Sequence, residues 1–160
     1  MLLLCAGCRQ PAEDGPAALL GAAAPPLALE TLTHERFYLN QQRGKVVLLV
    51  FWDTACKVCK QEMIELESLR RHLGPRRLVL ASVCADPENM DAVHRVTRGL
   101  HIGYPTLLDR GGRVTRSFGV SSFPTTIIVT PQGRVGFVRV GRTGPLMEQV
   151  RRKIECLREG

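Results

Sequence analysis

The order of elements in this sequence predicts an α/β fold: a mixed central sheet with helices on both faces, preceded by an N-terminal β-hairpin. Three observations carry that expectation. Residues 46–51 are an unbroken run of β-branched, aliphatic and aromatic side chains, the pattern of a strand buried on both faces. Residues 56–73 repeat apolar side chains (Cys59, Met63, Leu66, Leu69, Leu73) at three- and four-residue spacing, one face of an amphipathic helix. Residues 78–83 then form a second apolar run, so that strand, helix and strand follow in succession.

Each further element has its own signal. Residues 27–32 and 37–39 read as a short hairpin about Thr33-His34-Glu35-Arg36. Gly74-Pro75 ends the helix, since glycine suits the cap and proline cannot continue the turn. Residues 87–98 suit a helix with Asp86 as N-cap and Pro87 in first position. A short strand, 106–108, closes on Asp109-Arg110-Gly111-Gly112, and one or two helical turns follow over 114–118. Strands 125–129 and 135–140 are joined through Thr130-Pro131-Gln132-Gly133-Arg134 as a hairpin. The closing helix, 146–157, gathers Leu146, Val150, Ile154 and Leu157 on one face.

A chain of 160 residues with 44% hydrophobic content buries one ordinary core, so one domain is expected, over residues 27–158. The formal net charge of +7 is scattered among acidic residues. Its short basic groups (Arg70-Arg71, Arg76-Arg77, Arg151-Arg152-Lys153) lie in or beside helices as solvated faces, so no nucleic-acid partner is expected. An acidic protein or an anionic lipid surface fits the charge better. Six cysteines are too few for a disulfide scaffold of this length. The gap from Cys8 to Cys56 far exceeds the ~15–20 residues between zinc knuckles, so no metal site is expected.

Residues 1–8, MLLLCAGC, resemble the end of a bacterial lipoprotein signal, in which small residues precede a lipidated cysteine, here Cys8. The apolar run is shorter than the ~7–15 residues of a full signal core and no basic segment precedes it, so it reads as a remnant with the true start upstream. Residues 9–26, rich in Ala, Pro and Gly, read as a flexible tether. The expected location is therefore extracytoplasmic and membrane-tethered.

The chemistry gathers at Cys56-Lys57-Val58-Cys59. Two thiols spaced C-x-x-C where a strand meets a helix point to redox work rather than structure. Backbone N–H groups at the helix N-terminus favour a thiolate at Cys56, and Lys57 and Lys60 add positive charge. Cys59 lies one helical turn deeper and is placed to resolve a mixed disulfide on Cys56. Glu62 follows Cys59 on nearly the same helix face, either as a group near the thiols or as an exposed acid near a helix N-terminus. Pro124 enters a strand, where its missing N–H does little harm. Cys84, at the end of the second strand, reads as a third redox thiol or as a small buried hydrophobe, and Cys156 as inert.

Phe51-Trp52 before Cys56-x-x-Cys59, with Ser122-Phe123-Pro124-Thr125-Thr126 before a later strand, resembles the thioredoxin superfamily. The nearer resemblance is to the TlpA/ResA-like thiol–disulfide oxidoreductases, through Arg43-Gly44-Lys45, Glu62-Met63, Tyr104-Pro105 with Asp109, and Pro131-Gln132-Gly133. It implies a thioredoxin fold and a reductase of extracytoplasmic protein disulfides, for example in cytochrome c maturation. Its only redox group would be the Cys56–Cys59 couple, its partners a protein disulfide and an upstream thiol donor, and its state monomeric. It implies a cis bond before Pro124, a Phe123 backbone that pairs with substrate, and substrate contacts from Trp52, Lys57, Val58 and Thr125. It also implies that Glu62 adjusts the thiols' protonation. The sequence departs from the family at Asp53, Ala55 and Ile64, and at Val50, where thioredoxin itself has a buried acid. Two alternatives stay open. A copper-delivery protein would draw a ligand from His94 or His101, though relatives of that kind use C-x-x-x-C. A thiol peroxidase would carry its Thr three residues before the cysteine, whereas Thr54 lies two before.

Overall fold

The computed structural model describes residues 15–74, 78–142 and 145–159; Cys8, Pro75 and Arg76-Arg77, which carried expectations above, lie outside the described residues. Seven strands form one sheet in the order β2-β1-β5-β4-β3-β6-β7. The strands are β1 (Ala28–Thr31), β2 (Arg36–Tyr38), β3 (Val46–Trp52), β4 (Leu78–Cys84), β5 (Thr106–Leu108), β6 (Thr125–Val129) and β7 (Val135–Val140). The helices are α1 (Lys57–Leu73), α2 (Met90–Gly99), α3 (Arg113–Ser117) and α4 (Leu146–Glu159). β3, β4 and β5 run parallel, β6 pairs antiparallel with β3, and β7 pairs antiparallel with β6, as their hairpin connection requires. The α/β fold, its N-terminal hairpin and the helices on both faces are as expected.

All seven residues of β3 are buried, because the sheet is covered on both sides. On one face Val47, Leu49, Phe51, Ile127 and Val129 pack against Val114 of α3 and Phe118 just after it, with the Phe51 and Phe118 rings 5.5 Å apart. On the other, Val46, Leu48, Val50, Leu80 and Ile128 meet Leu66 and Leu69 of α1 and Val150 and Ile154 of α4. α2 closes the end of this second layer through Val93, which packs with Trp52, Cys59, Met63 and Cys84.

One row across that second face is unlike its neighbours. The register aligns Thr106 of β5, Ser82 of β4, Val50 of β3, Thr126 of β6 and Arg139 of β7. Opposed residues of adjacent strands share a face, so four polar side chains and one valine lie in line beneath α1. Ser82 donates to Thr106 Oγ1 at 3.1 Å, satisfying one end of the row internally.

Two expectations need correction. α2 begins at Met90, capped by Asn89, whose side chain accepts from the Ala92 N–H at 3.0 Å. Asp86 is not its cap, because its carboxylate is taken up by Thr54. Residues 15–24, expected to be loose tether, are instead held against the sheet. Pro16–Leu19 form a 3-10 turn, and Gly21, Ala22 and Ala24 bond backbone to backbone with Val135 and Gly133. Leu19 and Ala24 pack on the α3-side core, so apolar contact and paired backbone outweigh the low-complexity composition.

Candidate active site

β3 delivers the chain to the C-terminal edge of its parallel strands, and the loop Asp53–Cys56 turns it into α1. Two carboxylates hold this loop. Asp53 Oδ1 accepts from the N–H groups of Ala55 (3.0 Å) and Cys56 (2.8 Å). Asp86, just beyond β4, accepts from Thr54 N–H at 3.0 Å and from its hydroxyl at 2.7 Å. Asp53, a departure from the family pattern, is thus the residue that shapes the turn into the motif.

Cys56 and Cys59 form a disulfide across a Cα separation of 5.3 Å. Cys56 is the N-cap of α1, and its sulfur accepts from the Cys59 N–H at 3.1 Å. When the pair is reduced, this N–H and the helix dipole favour negative charge on Cys56. Cys56 is half-buried and Cys59 fully buried, as an attacking and a resolving thiol should be.

The peptide bond between Phe123 and Pro124 is cis, and Phe123 packs into the cluster that contains Cys56, Cys59 and Trp52. Pro124 is buried, with its carbonyl accepting from the Gly141 N–H at 2.7 Å. Around this point the exposed apolar residues are Val58, between the two cysteines, and Val140, opposite Thr125 in the β6–β7 ladder. Lys57 is exposed as well.

Two of the expected substrate contacts are corrected. Trp52 is completely buried with Cys59, Met63 and Cys84, and its indole N–H meets no acceptor among the described residues. It is the floor of the site rather than its rim, because β3 extends one residue further than its apolar run suggested. Thr125 is also fully buried, its hydroxyl donating to the Ser122 carbonyl at 2.7 Å. Lys57, Val58 and Phe123 keep accessible surface; Trp52 and Thr125 do not.

Glu62 is 1% exposed, so it is not the exposed acid of the simpler reading. One carboxylate oxygen accepts from the Thr126 hydroxyl, and the other has no hydrogen-bond partner among the described residues. Burial raises its pKa from the usual carboxylate value; the Thr126 hydrogen bond and the Arg139 charge oppose that rise. Glu62 therefore holds its proton to higher pH than a surface carboxylate does.

Cys84 is buried, and its thiol donates to Asp86 at 3.4 Å. Burial, with the nearby Asp86, pushes that thiol far above the ordinary range, which leaves it inert as a nucleophile. Cys156 is exposed on α4. His101 lines a cleft beside Thr106, at the start of β5, whereas Cys56 follows the end of β3. Among the described residues no group of three or more His, Cys, Asp or Glu is placed to hold a metal ion. Asp86, Thr126 and Arg139 escaped sequence reasoning, for each acts through a partner more than thirty positions away.

Residues 20–138 match the model of the AhpC/TSA family. Over 131 residues the chain is 34% identical to the thioredoxin-like protein YneN of Bacillus subtilis, covering 81% of this chain and 76% of that protein. Over 121 residues it is 31% identical to the thiol-disulfide oxidoreductase ResA of the same organism, covering 76% and 67%. A crystal structure assigned to DsbE, a thiol:disulfide interchange protein of Chlorobium tepidum, superposes with a TM-score of 0.79 at 24% identity, over 86% of this chain and 96% of that one. That likeness establishes the thioredoxin-like fold.

Proposed function

The chain belongs to the AhpC/TSA family, and from that premise we propose that it reduces disulfides of extracytoplasmic partner proteins, cytochrome c maturation being one such setting. It is a thiol–disulfide oxidoreductase, and the observation that carries this is the Cys56–Cys59 couple at the N-terminus of α1. We assign it no cofactor beyond that couple. No helix among the described residues is long and apolar enough to cross a membrane.

The cycle balances over two electrons. The Cys56 thiolate attacks one sulfur of the substrate disulfide; that S–S bond breaks, and the departing substrate sulfur takes up a proton. Cys59 then gives its proton to the Glu62 carboxylate and attacks the Cys56 sulfur. The mixed disulfide breaks, the second substrate thiolate takes a proton, and the Cys56–Cys59 disulfide remains. An upstream dithiol restores the reduced pair by the reverse exchange. Phe123, Lys57 and Val58 offer the surface against which the substrate chain would lie.

Cys59→Ser tests this reading. In an extract of the native host it should accumulate mixed disulfides through Cys56, releasable by dithiothreitol and absent in Cys56→Ser. A trap that stays empty, together with peroxide consumption by wild-type protein, would replace reduction with peroxidase chemistry.

A further inference from the structure

We propose that Arg139 is a positioning residue of the thiol site, holding the Glu62 carboxyl in a state able to take the Cys59 proton. The inference rests on the reading of Glu62 as that proton's acceptor.

The placement follows from strand register. Arg139 faces Thr126 across the β6–β7 ladder, so both side chains rise from the same face of the sheet. The Thr126 hydroxyl reaches Glu62 from that face, and Arg139 is 7% exposed beside it. A buried arginine is costly unless its charge is answered, and an interior carboxylate is costly for the same reason. Each reduces the other's penalty. The valine at position 50 completes the row, so the charged site sits between α1, β6 and β7 rather than in the central strand.

The surroundings of Glu62 sharpen the assignment. From α1 comes Glu65, with Cys59 three residues before Glu62 on the same helix, and from the loop after β7 comes Arg142. Arg142 is already engaged, bonding both Glu65 and Gln61. The described residues of α4 that meet this layer are apolar (Val150 and Ile154, with Met147 and Leu157 packed against them), and Tyr104, from the segment before β5, spends its hydroxyl on the Met63 carbonyl at 3.1 Å. Arg139 acts on Glu62 electrostatically more strongly than either Glu65 or Arg142, and it lowers the carboxyl's pKa. Without it, Glu62 would hold its proton to higher pH and accept none from Cys59 over that range.

The experiment is the pH profile of mixed-disulfide resolution, followed with a peptide disulfide as probe in Arg139→Met, Arg139→Gln and Arg139→Lys. The neutral variants should move the acid limb upward by about one pH unit, a roughly tenfold lower rate at a fixed pH on that limb. Arg139→Lys should return it most of the way. In a Glu62→Gln background the neutral substitutions should leave the rate unchanged. Should Arg139→Met not fold, Arg139→Gln, polar and nearly as long, carries the same test. An acid limb unmoved in a folded neutral variant overturns the proposal, as does a rate loss that persists with Glu62→Gln. In either case a wild type that still reduces the probe through Cys56 leaves the oxidoreductase reading standing. A wild type that passes no electrons through Cys56 brings down both.

Discussion

Helix α1 buries two carboxylates, five residues apart in sequence, and they behave in opposite ways. Glu67 accepts from Arg70 (3.0 and 2.7 Å), from Arg71 (2.9 Å) and from the Gly103 N–H (3.1 Å). Its pKa is lowered to about 2, the Arg70 hydrogen bond being the largest cause. Glu62 has one hydroxyl donor, and burial raises its pKa. Both are almost inaccessible to solvent, so burial alone does not decide the outcome. The balance does: desolvation dominates at the more deeply set Glu62, and donors dominate at Glu67. A carboxylate saturated with donors is a structural clamp, here tying α1 to the segment before β5. One left short of donors keeps its proton negotiable, and it is the one that follows Cys59 by three residues on α1.

The contrast can be broken most forcefully at Glu62. Glu62→Gln should slow the resolving step about 100-fold and flatten the acid limb of its pH profile, as loss of a proton acceptor does. Stopped-flow measurement between about pH 4 and 8 reads this, and a wild-type rate across that range would remove Glu62 from the chemistry. The same variant should be no less stable than wild type. A raised folded-state pKa means that the carboxyl favours folding most at low pH and opposes it as pH rises through the folded value.

Glu67→Gln should do the reverse: leave the redox rate within about twofold while lowering unfolding free energy in urea by roughly 2 kcal/mol at neutral pH. The gap between the usual 4.5 and about 2 sets a ceiling near 3 kcal/mol, which solvent around Arg70 and Arg71 reduces. In wild type this contribution is present above about pH 4.5 and lost as pH falls toward 2. A variant as stable as wild type at neutral pH would mean that the clamp carries no net energy.

Thr126→Val should raise the Glu62 pKa further and shift the acid limb up by about one unit, since a hydrogen bond to a charged group contributes about 1.5 kcal/mol or more. An unchanged profile would deny that the hydroxyl favours the ionised form. The smallest effect is expected from Gly103→Ala, whose new methyl would lie 2.7 Å from Arg70 Nη2 and 3.2 Å from Glu67 Oε1. The guanidinium end can swing aside, so thermal denaturation should report a loss of only ~1 kcal/mol. A loss as large as that of Glu67→Gln would show the clamp to be rigid.

Local patterns carried most of the architecture. The strands, α1, the C-x-x-C site and the proline before β6 are each written in adjacent residues, as burial patterns, cap residues and spacing. What escaped depends on pairing between distant segments. Nothing local separates Glu62 from Glu67, because both lie on the inward side of one helix and only Thr126, Arg70, Arg71 and Gly103 tell them apart. Arg139 read as one residue of a strand until the ladder placed it opposite Thr126. Asp86 looked like an N-cap because it precedes Pro87, yet Thr54 holds it. Residues 15–24 have the composition of a linker, and only their backbone pairing to Val135 and Gly133 shows otherwise.

Trp52 has one more consequence. It is the chain's single tryptophan, and it lies in the same buried cluster as the redox cysteines. An excited indole close to a disulfide loses its energy by electron transfer to sulfur, a route that closes when the bond is reduced. The molecule thus contains its own optical gauge: emission should brighten as Cys56 and Cys59 are reduced, so each turnover can be watched without a dye or a label.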